Sequence, residues 1–510
     1  MKISFSVLLN RLRLHVSRGS FRLAAACCLL SFALSVNAQV ARPKLVVGLV
    51  VDQMRWDYLY YYYDQYGQGG LRRLVDEGYS FENCMINYLP TVTAIGHSSI
   101  YTGSVPALTG IASNGWQEWD RYVYCCQDSD VQSVGSDSRE GQMSPHRMQA
   151  TTIGDQLHLA TDFKSRVIGV ALKDRAAILP AGHSADAAYW WDTSAGHFVT
   201  STYYMKDLPA WVKDFNSKHQ QTPGKDVKTS DLGVTLTFDM AKAALENESL
   251  GQHDQTDMLC VSVSSTDAIG HTYGTRGKEN KSVYMTLDRE LASFLQTLDA
   301  KVGRGNYLLF LSADHGAEHN HNYLSNHRIP AAGLETGKLA QSLDAYLVAK
   351  HGLTSPVVLD IHGGRVFLNH GALTRHNVDI AVARQEVVDY LLRDPRFRYA
   401  VDPDKVMEST IPEPLKTSIV NGYFRGRSGD VFFIQRPNWV DATNDPAYIG
   451  TNHAQWNPYD SHIPFVLFGW NVNHGQDYST CHITDIAATV CVMLHIQRPS
   501  CCVGEARQLK

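Results

Sequence analysis

The sequence predicts an α/β protein: a doubly wound, mostly parallel sheet carrying a smaller inserted α+β module. The first sign is four short runs of β-branched and apolar residues that stop at charged groups. Leu45–Val51 ends at Asp52, and Val167–Leu172 ends at Lys173-Asp174-Arg175. Met258–Val263 leads to Asp267 and His271, and Tyr307–Leu311 leads to Asp314-His315. Continuous apolar runs of this length fit strands buried on both faces, and in such sheets ligands gather beyond the strands' carboxyl ends. The second sign is helical periodicity between the runs, which supplies the crossovers a parallel sheet requires.

The elements come in order. After the first strand stand a helix over Leu71–Glu77, a strand over Tyr79–Ile86, the loop Asn87–Val92, a helix, and the strand into Lys173. The segment Trp116–Pro145 is polar and aromatic without periodicity and reads as a long loop. A second block holds a helix near Thr235–Leu245, the strand into Asp267, a helix over Ser282–Val302 and the strand into Asp314. That long helix places Val283, Leu287, Leu291, Phe294 and Leu298 on one stripe. From about His327 the texture changes to short mixed strands (Val357–Ile361, Arg365–Asn369, Asp430–Gln435) around a helix near Val378–Leu392. Core texture returns at Ile463–Phe468, before a helix over Thr484–Leu494 that Thr484-Asp485 would cap. The organisation expected is residues 39–326 and 441–510 as core, with 327–440 as the inserted module.

The N-terminus reads as an export signal rather than fold. Lys2, Arg11, Arg13, Arg18 and Arg22 precede the uncharged stretch Leu23–Val36, and Val36-Asn37-Ala38 ends like a peptidase site. That stretch is shorter than the roughly 20 residues that span a bilayer. The expectation is a signal over 1–38, a periplasmic or secreted mature chain, and no membrane span within it. Charged residues make up 19% of the chain and the net charge is −5, which leaves no footprint for nucleic acid, so anion recognition must be local. None of the ten cysteines sits in a zinc-type CxxC spacing. Cys260 reads as a small buried hydrophobe, and the vicinal pairs Cys125/Cys126 and Cys501/Cys502 could each provide one bridge of unreadable connectivity.

The chemistry sits at the strand ends. Asp267-x-x-x-His271 brings two ligand types into one short turn, and Asp314-His315 sets a hard oxygen beside an imidazole. With Asp52 these form an oxygen/nitrogen set that Zn²⁺ accepts, still wanting a late imidazole from His453 or His462. An aspartate after a strand is more often a turn residue, so the weight lies on the joint placement. In Pro90–Ile100, Thr93 would sit at a helix N-terminus, either as its cap or as a hydroxyl facing an anion. Lys173 and Arg175, two apart on an extended strand end, would point to one face and converge on one anion. Asn114, in Ser113-Asn114-Gly115, would donate an amide to it or form an Asn-Gly turn.

This string of motifs resembles the alkaline phosphatase superfamily, in the branch shared with nucleotide pyrophosphatase/phosphodiesterases. It is most similar to the PafA-type alkaline phosphatases, which use a threonine nucleophile. The resemblance runs over nearly all the mature chain and implies an alkaline-phosphatase-like fold with two Zn²⁺. Thr93 would open the family's T-x-x-x-H segment as nucleophile. One zinc would be held by Asp52, Asp314 and His315, and the other by Asp267, His271 and a late histidine. The Gly450-Thr451-Asn452-His453 context, with Tyr459-Asp460 beyond it, selects His453, although Ala454 stands where the family usually has Gly. Asn114, Lys173 and Arg175 match the monoesterase pattern, implying hydrolysis of phosphate monoesters through a phosphothreonine. A phosphodiesterase or nucleotide pyrophosphatase is the alternative. No Cys-x-Pro-x-Arg or Ser-x-Pro-x-Arg sulfatase motif is present.

Overall fold

The computed structural model describes residues 41–118 and 121–509. The expected export signal over 1–38 lies outside the described residues, as does Trp119. From Pro43 onward the chain forms one compact unit.

The four charge-terminated runs are strands β1 (Leu45–Val51), β2 (Val167–Ala171), β3 (Asp257–Val263) and β4 (Tyr307–Ser312), all fully buried. They lie side by side and parallel in the order β4-β1-β3-β2. Their register levels the strand ends. Val51 pairs Val263, Val50 pairs Ser312, and Ser262 pairs Ala171. The residues just beyond these pairs are therefore forced into one neighbourhood. A strand over Ala187–Asp192 extends the sheet beyond β2, and antiparallel strands flank both sides. This mixed central sheet has ten strands among the described residues.

Three helices leave this rim. Helix α1 (Thr93–Thr102) is buried at every position and ends at Gly103 in the left-handed conformation. Helix α2 (Asp174–Ala181) comes after β2, and α3 (Ser265–Tyr273) after β3. Gly96 lets α1 touch the end of β4, because a Cβ there would come within 2.3 Å of the Asp314 carbonyl oxygen.

A second sheet of four antiparallel strands comprises β5 (Val358–His362), β6 (Arg365–Leu368), β7 (Phe397–Val401) and β8 (Val431–Gln435), in the order β5-β6-β8-β7. It has its own apolar core, in which Leu343 and Leu347 of a helix over Thr336–His351 meet Val387, Leu391, Val366 and Val431. Strand β9 (Phe465–Gly469) then returns the chain to the central sheet, antiparallel to β4.

Several details differ from the sequence reading. The strand expected over Tyr79–Ile86 is two short strands, Tyr79–Phe81 and Cys84–Met85, in different sheets. The segment expected to be one long loop contains an antiparallel hairpin, Gly115–Glu118 with Arg121–Tyr124. Thr484 occupies the cap position of the Asp485–Met493 helix but makes no side-chain cap bond. The described cysteines are free thiols, with Cys125 Sγ 3.9 Å from Cys126 Sγ and Cys260 buried in β3. No described helix is long and apolar enough to cross a membrane.

Candidate active site

The level strand ends assemble two acid–imidazole groups. Asp52, immediately after β1, joins Asp314 and His315, immediately after β4; all three are fully buried. Asp267 and His271, one turn apart on α3, join His453 from the segment before β9. In each group one ligand-type atom from every residue lies within 4.8 Å of the others. Asp267 and His271 thus stand on a helix rather than in a turn, with His271 Nε2 3.1 Å from Asp267 Oδ1. His462, the rival for the last position, lies elsewhere: it stacks on Trp56, and its Nε2 bonds the Glu82 carbonyl.

The imidazoles are oriented for ligation. His453 Nδ1 is 2.7 Å from the Thr91 carbonyl, His271 Nδ1 is 2.9 Å from the Thr451 carbonyl, and His315 Nδ1 is 3.0 Å from the Gly316 carbonyl. A carbonyl only accepts, so each Nδ1 carries the proton and donates. Each Nε2 points toward the acids, where it can bind a metal once it holds no second proton, which is how metal-ligating histidines are held. Asp52 Oδ1, Asp314 Oδ2 and His315 Nε2 are buried without a hydrogen-bond partner. Three unpartnered acceptors converging in the interior fit a bound cation, since such atoms are otherwise satisfied.

The charge balance points the same way. Three buried carboxylates face one side-chain ammonium, Lys173 Nζ, which lies 2.6 Å from Asp52 Oδ2 and 2.5 Å from Asp267 Oδ2. Burial, then repulsion from Asp267 and Asp314, holds the Asp52 carboxyl well above its ordinary range. For Asp267, burial also acts to raise the pKa, but His271 and Lys173 outweigh it and hold this carboxyl well below. Burial, reinforced by His315 and His271, keeps His453 neutral.

Thr93 is the first residue of α1 and is buried. The cap position belongs to Val92, whose side chain offers no acceptor, so Thr93 is not the helix cap. Its neighbours tie it to both groups: Thr91 bonds His453, while Gly96 abuts Asp314 and His97 Nδ1 lies 3.2 Å from Asp314 Oδ2. Asn114 Oδ1 accepts from the Ala94 N–H at 2.9 Å, which aims the side-chain amide across the N-terminus of α1.

Lys173 and Arg175 depart from their expected arrangement. β2 stops at Ala171, Lys173 is the extended cap residue of α2, and Arg175 lies within that helix. The two side chains take different partners: Lys173 bridges Asp52 and Asp267, whereas Arg175 Nη1 is 3.0 Å from Tyr124 Oη. Strand periodicity fails once the chain turns helical.

Gln53 is a site residue that sequence reasoning misses. It is buried with φ of 65°, a left-handed conformation costly for a side chain with a Cβ. Its backbone N–H donates to Asp314 Oδ1 at 3.1 Å, and its Nε2 donates to Asp267 Oδ1 at 2.6 Å. One residue thus grips an acid of each group, and its only sequence signal is adjacency to Asp52.

The fold and this paired acid–imidazole site define an alkaline-phosphatase-like protein with two candidate metal groups beside a helix-borne threonine. The chain belongs to the type I phosphodiesterase / nucleotide pyrophosphatase family, which matches residues 46–456. It is 42% identical to alkaline phosphatase PafA of Elizabethkingia meningoseptica, over 91% of this chain and 94% of that one. The crystal structure of wild-type PafA superposes with a TM-score of 0.88 at 41% identity, covering 92% of this chain and 98% of that one. A Myroides odoratus protein named calcium-transporting ATPase is also 42% identical, over 94% and 97% of the two chains. Murine ectonucleotide pyrophosphatase / phosphodiesterase 5 shares the fold at 16% identity, with a TM-score of 0.54 over 89% and 95%.

The site's geometry makes two testable statements about metal binding. Gln53→Gly keeps the backbone donor and suits the positive φ but deletes the amide to Asp267. Metal affinity at the Asp267 group should fall about 10–100-fold, read by competition with a chelating dye; unchanged affinity would exclude this role. Although burial lowers it, His271 is raised above its ordinary 6.5 by Asp267. Protons should therefore compete with metal from above pH 6.5 downward, so metal affinity measured across pH should begin to fall on that side of 6.5.

Proposed function

We propose that this chain is an exported alkaline phosphatase that hydrolyses phosphate monoesters through a phosphothreonine at Thr93, with two Zn²⁺. The observation carrying the reading is the convergence of two metal-competent groups on the N-terminus of α1. The PafA resemblance supports the monoester activity. Asp52, Asp314 and His315 would hold one zinc, and Asp267, His271 and His453 the other; the mixed O/N ligand set suits that ion. When bound, the two ions supply Lewis acidity that lowers hydroxyl and water pKa values and neutralises the crowded carboxylates.

The chain's own residues account for the rest. The Thr93 Oγ1 attacks phosphorus, the P–O bond to the alcohol breaks, and water then cleaves the phosphothreonine to release inorganic phosphate. The free N–H groups at the start of α1 favour the anion, and the Asn114 amide donates to a non-bridging oxygen. Lys173 and Arg175 supply cations suited to a dianion, with Lys173 exchanging its carboxylate partners for phosphate oxygens. A monoester carries one more negative charge than a diester, so these donors favour monoesters over the diesters of the family's other members. Export is supported by the basic–apolar–small pattern of the first 38 residues.

Thr93→Ala should abolish turnover of an aryl phosphate while metal content stays at two per chain; activity near wild type would reject the nucleophile. The pair Lys173→Ala and Arg175→Ala should reduce monoester kcat/KM by at least about 10²–10³ and diester kcat/KM far less. Equal losses on both substrates would reject the monoesterase assignment in favour of a diesterase.

A further inference from the structure

A cavity of about 350 Å³ opens directly onto the site, walled on one side by Asn114, His271 and His453. Its opposite wall comes from the second sheet, through the β5–β6 turn at Gly363 and Gly364 and the end of β8. A phosphate held by Asn114 and the acid–imidazole groups borders this space, so the cavity is where the ester's leaving group lies.

The wall carries two acids and one buried, unpartnered acceptor. Gln435, the last residue of β8, lines the cavity and is only 2% exposed, yet its Oε1 has no hydrogen-bond partner. A buried acceptor without a donor costs free energy unless something binds it. Two carboxylates line the same cavity. Asp360 uses Oδ2 toward His362 Nδ1 at 2.9 Å, and Asp441 uses Oδ1 toward Thr336 Oγ1 at 2.8 Å, so each has a second oxygen to offer. Burial pushes Asp360 up, but His362 outweighs it and holds this carboxyl below its ordinary range, so it is anionic at neutral pH. His362 itself commits both ring nitrogens to the protein, Nδ1 to Asp360 and Nε2 to the Gly115 carbonyl. No lysine or arginine lines the cavity among the described residues. The cavity thus presents two carboxylates, one of them paired with His362, and no ammonium or guanidinium to receive an anionic leaving group.

We propose that this cavity is a leaving-group subsite, built by Asp360, Gln435 and Asp441, that selects phosphate monoesters of small amino- or hydroxyl-bearing alcohols and disfavours leaving groups carrying an anion. The subsite rests on the phosphatase reading above. Gln435 Oε1 accepts from a hydroxyl or ammonium of the substrate, and the carboxylates complement its positive charge. A carboxylated or further phosphorylated leaving group meets like charge at both acids.

The test is kcat/KM of the metal-loaded enzyme for 2-aminoethyl, 2-hydroxyethyl and carboxymethyl phosphate, alongside an aryl phosphate, at low and high salt. Expected is an amino-over-carboxy preference of about tenfold or more that shrinks with salt. In Asp360→Asn and, separately, Asp441→Asn, that ratio should fall severalfold; comparing ratios cancels the intrinsic reactivities of the esters. A ratio that is the same in wild type and both variants and insensitive to salt overturns the subsite while leaving the phosphatase intact. Failure to hydrolyse any of the four esters overturns the phosphatase reading itself, and the subsite with it.

Discussion

The constraint on which this site turns is the mutual repulsion of three buried carboxylates. Two unit charges about 4 Å apart interact by about 4 kcal/mol at an effective dielectric of about 20. Asp52, Asp267 and Asp314 share one buried neighbourhood, so the fold must compensate them or leave protons on them. Lys173 partly compensates, bonding Asp52 and Asp267 together. Burial alone would raise Asp314, but His315 and His97 outweigh it. Burial, reinforced by Asp267 and Asp314, keeps the Asp52 pKa raised even with Lys173 beside it. Cations are what this arrangement lacks.

That crowding is made by sheet register. Because β1, β3 and β4 pair residue for residue up to Val51, Val263 and Ser312, the acids beyond them cannot be separated without slipping a strand. A one-residue slip would turn every buried side chain of that strand to the opposite face. The site is therefore secured by the largest apolar core in the molecule, while its own polar groups oppose it. Gln53 adds a local tie, holding a strained φ in exchange for donors to Asp314 and Asp267.

Much of this is legible in the sequence because strand runs and their terminal charges are local signals. Four of the strands, their parallel arrangement and the acids at their ends are readable from β-branched runs bounded by Asp and Lys. His453 is readable only through its motif context, since nothing local brings residue 453 beside Asp267. What stays hidden depends on tertiary contact. The helical start of α2 redirects Lys173 and Arg175, because the strand ends at Ala171 rather than running through Lys173. The hairpin after Asn114 is concealed because Gly115–Glu118 and Arg121–Tyr124 lack an alternating apolar pattern; of their apolar side chains only Trp116 and Val123 are deeply buried. Gln53 gives no pattern at all, since its role is set by two acids more than two hundred residues away.

The second sheet is also more than an appendage to the rim. Arg427 Nη1 donates to the Gly110 carbonyl at 2.7 Å, and its guanidinium lies over Trp116. Arg365 Nη1 donates to the Ala112 carbonyl at 2.8 Å, and His362 Nε2 lies 3.2 Å from the Gly115 carbonyl. Three basic side chains from the second sheet and its connections thus hold carbonyls on both sides of Asn114. Arg365 does so while fully buried, with Nε and Nη2 unpartnered and burial opposing its charge. A guanidinium kept in that position at such a cost fixes the backbone of the segment it grips. Asn114 in turn bonds the first turn of α1, so its side-chain amide is set from two directions. One is the helix that carries Thr93, and the other is a sheet built from residues more than two hundred positions later in the chain. The same β5–β6 turn walls the leaving-group cavity, which couples where the phosphate sits to what its alcohol can be.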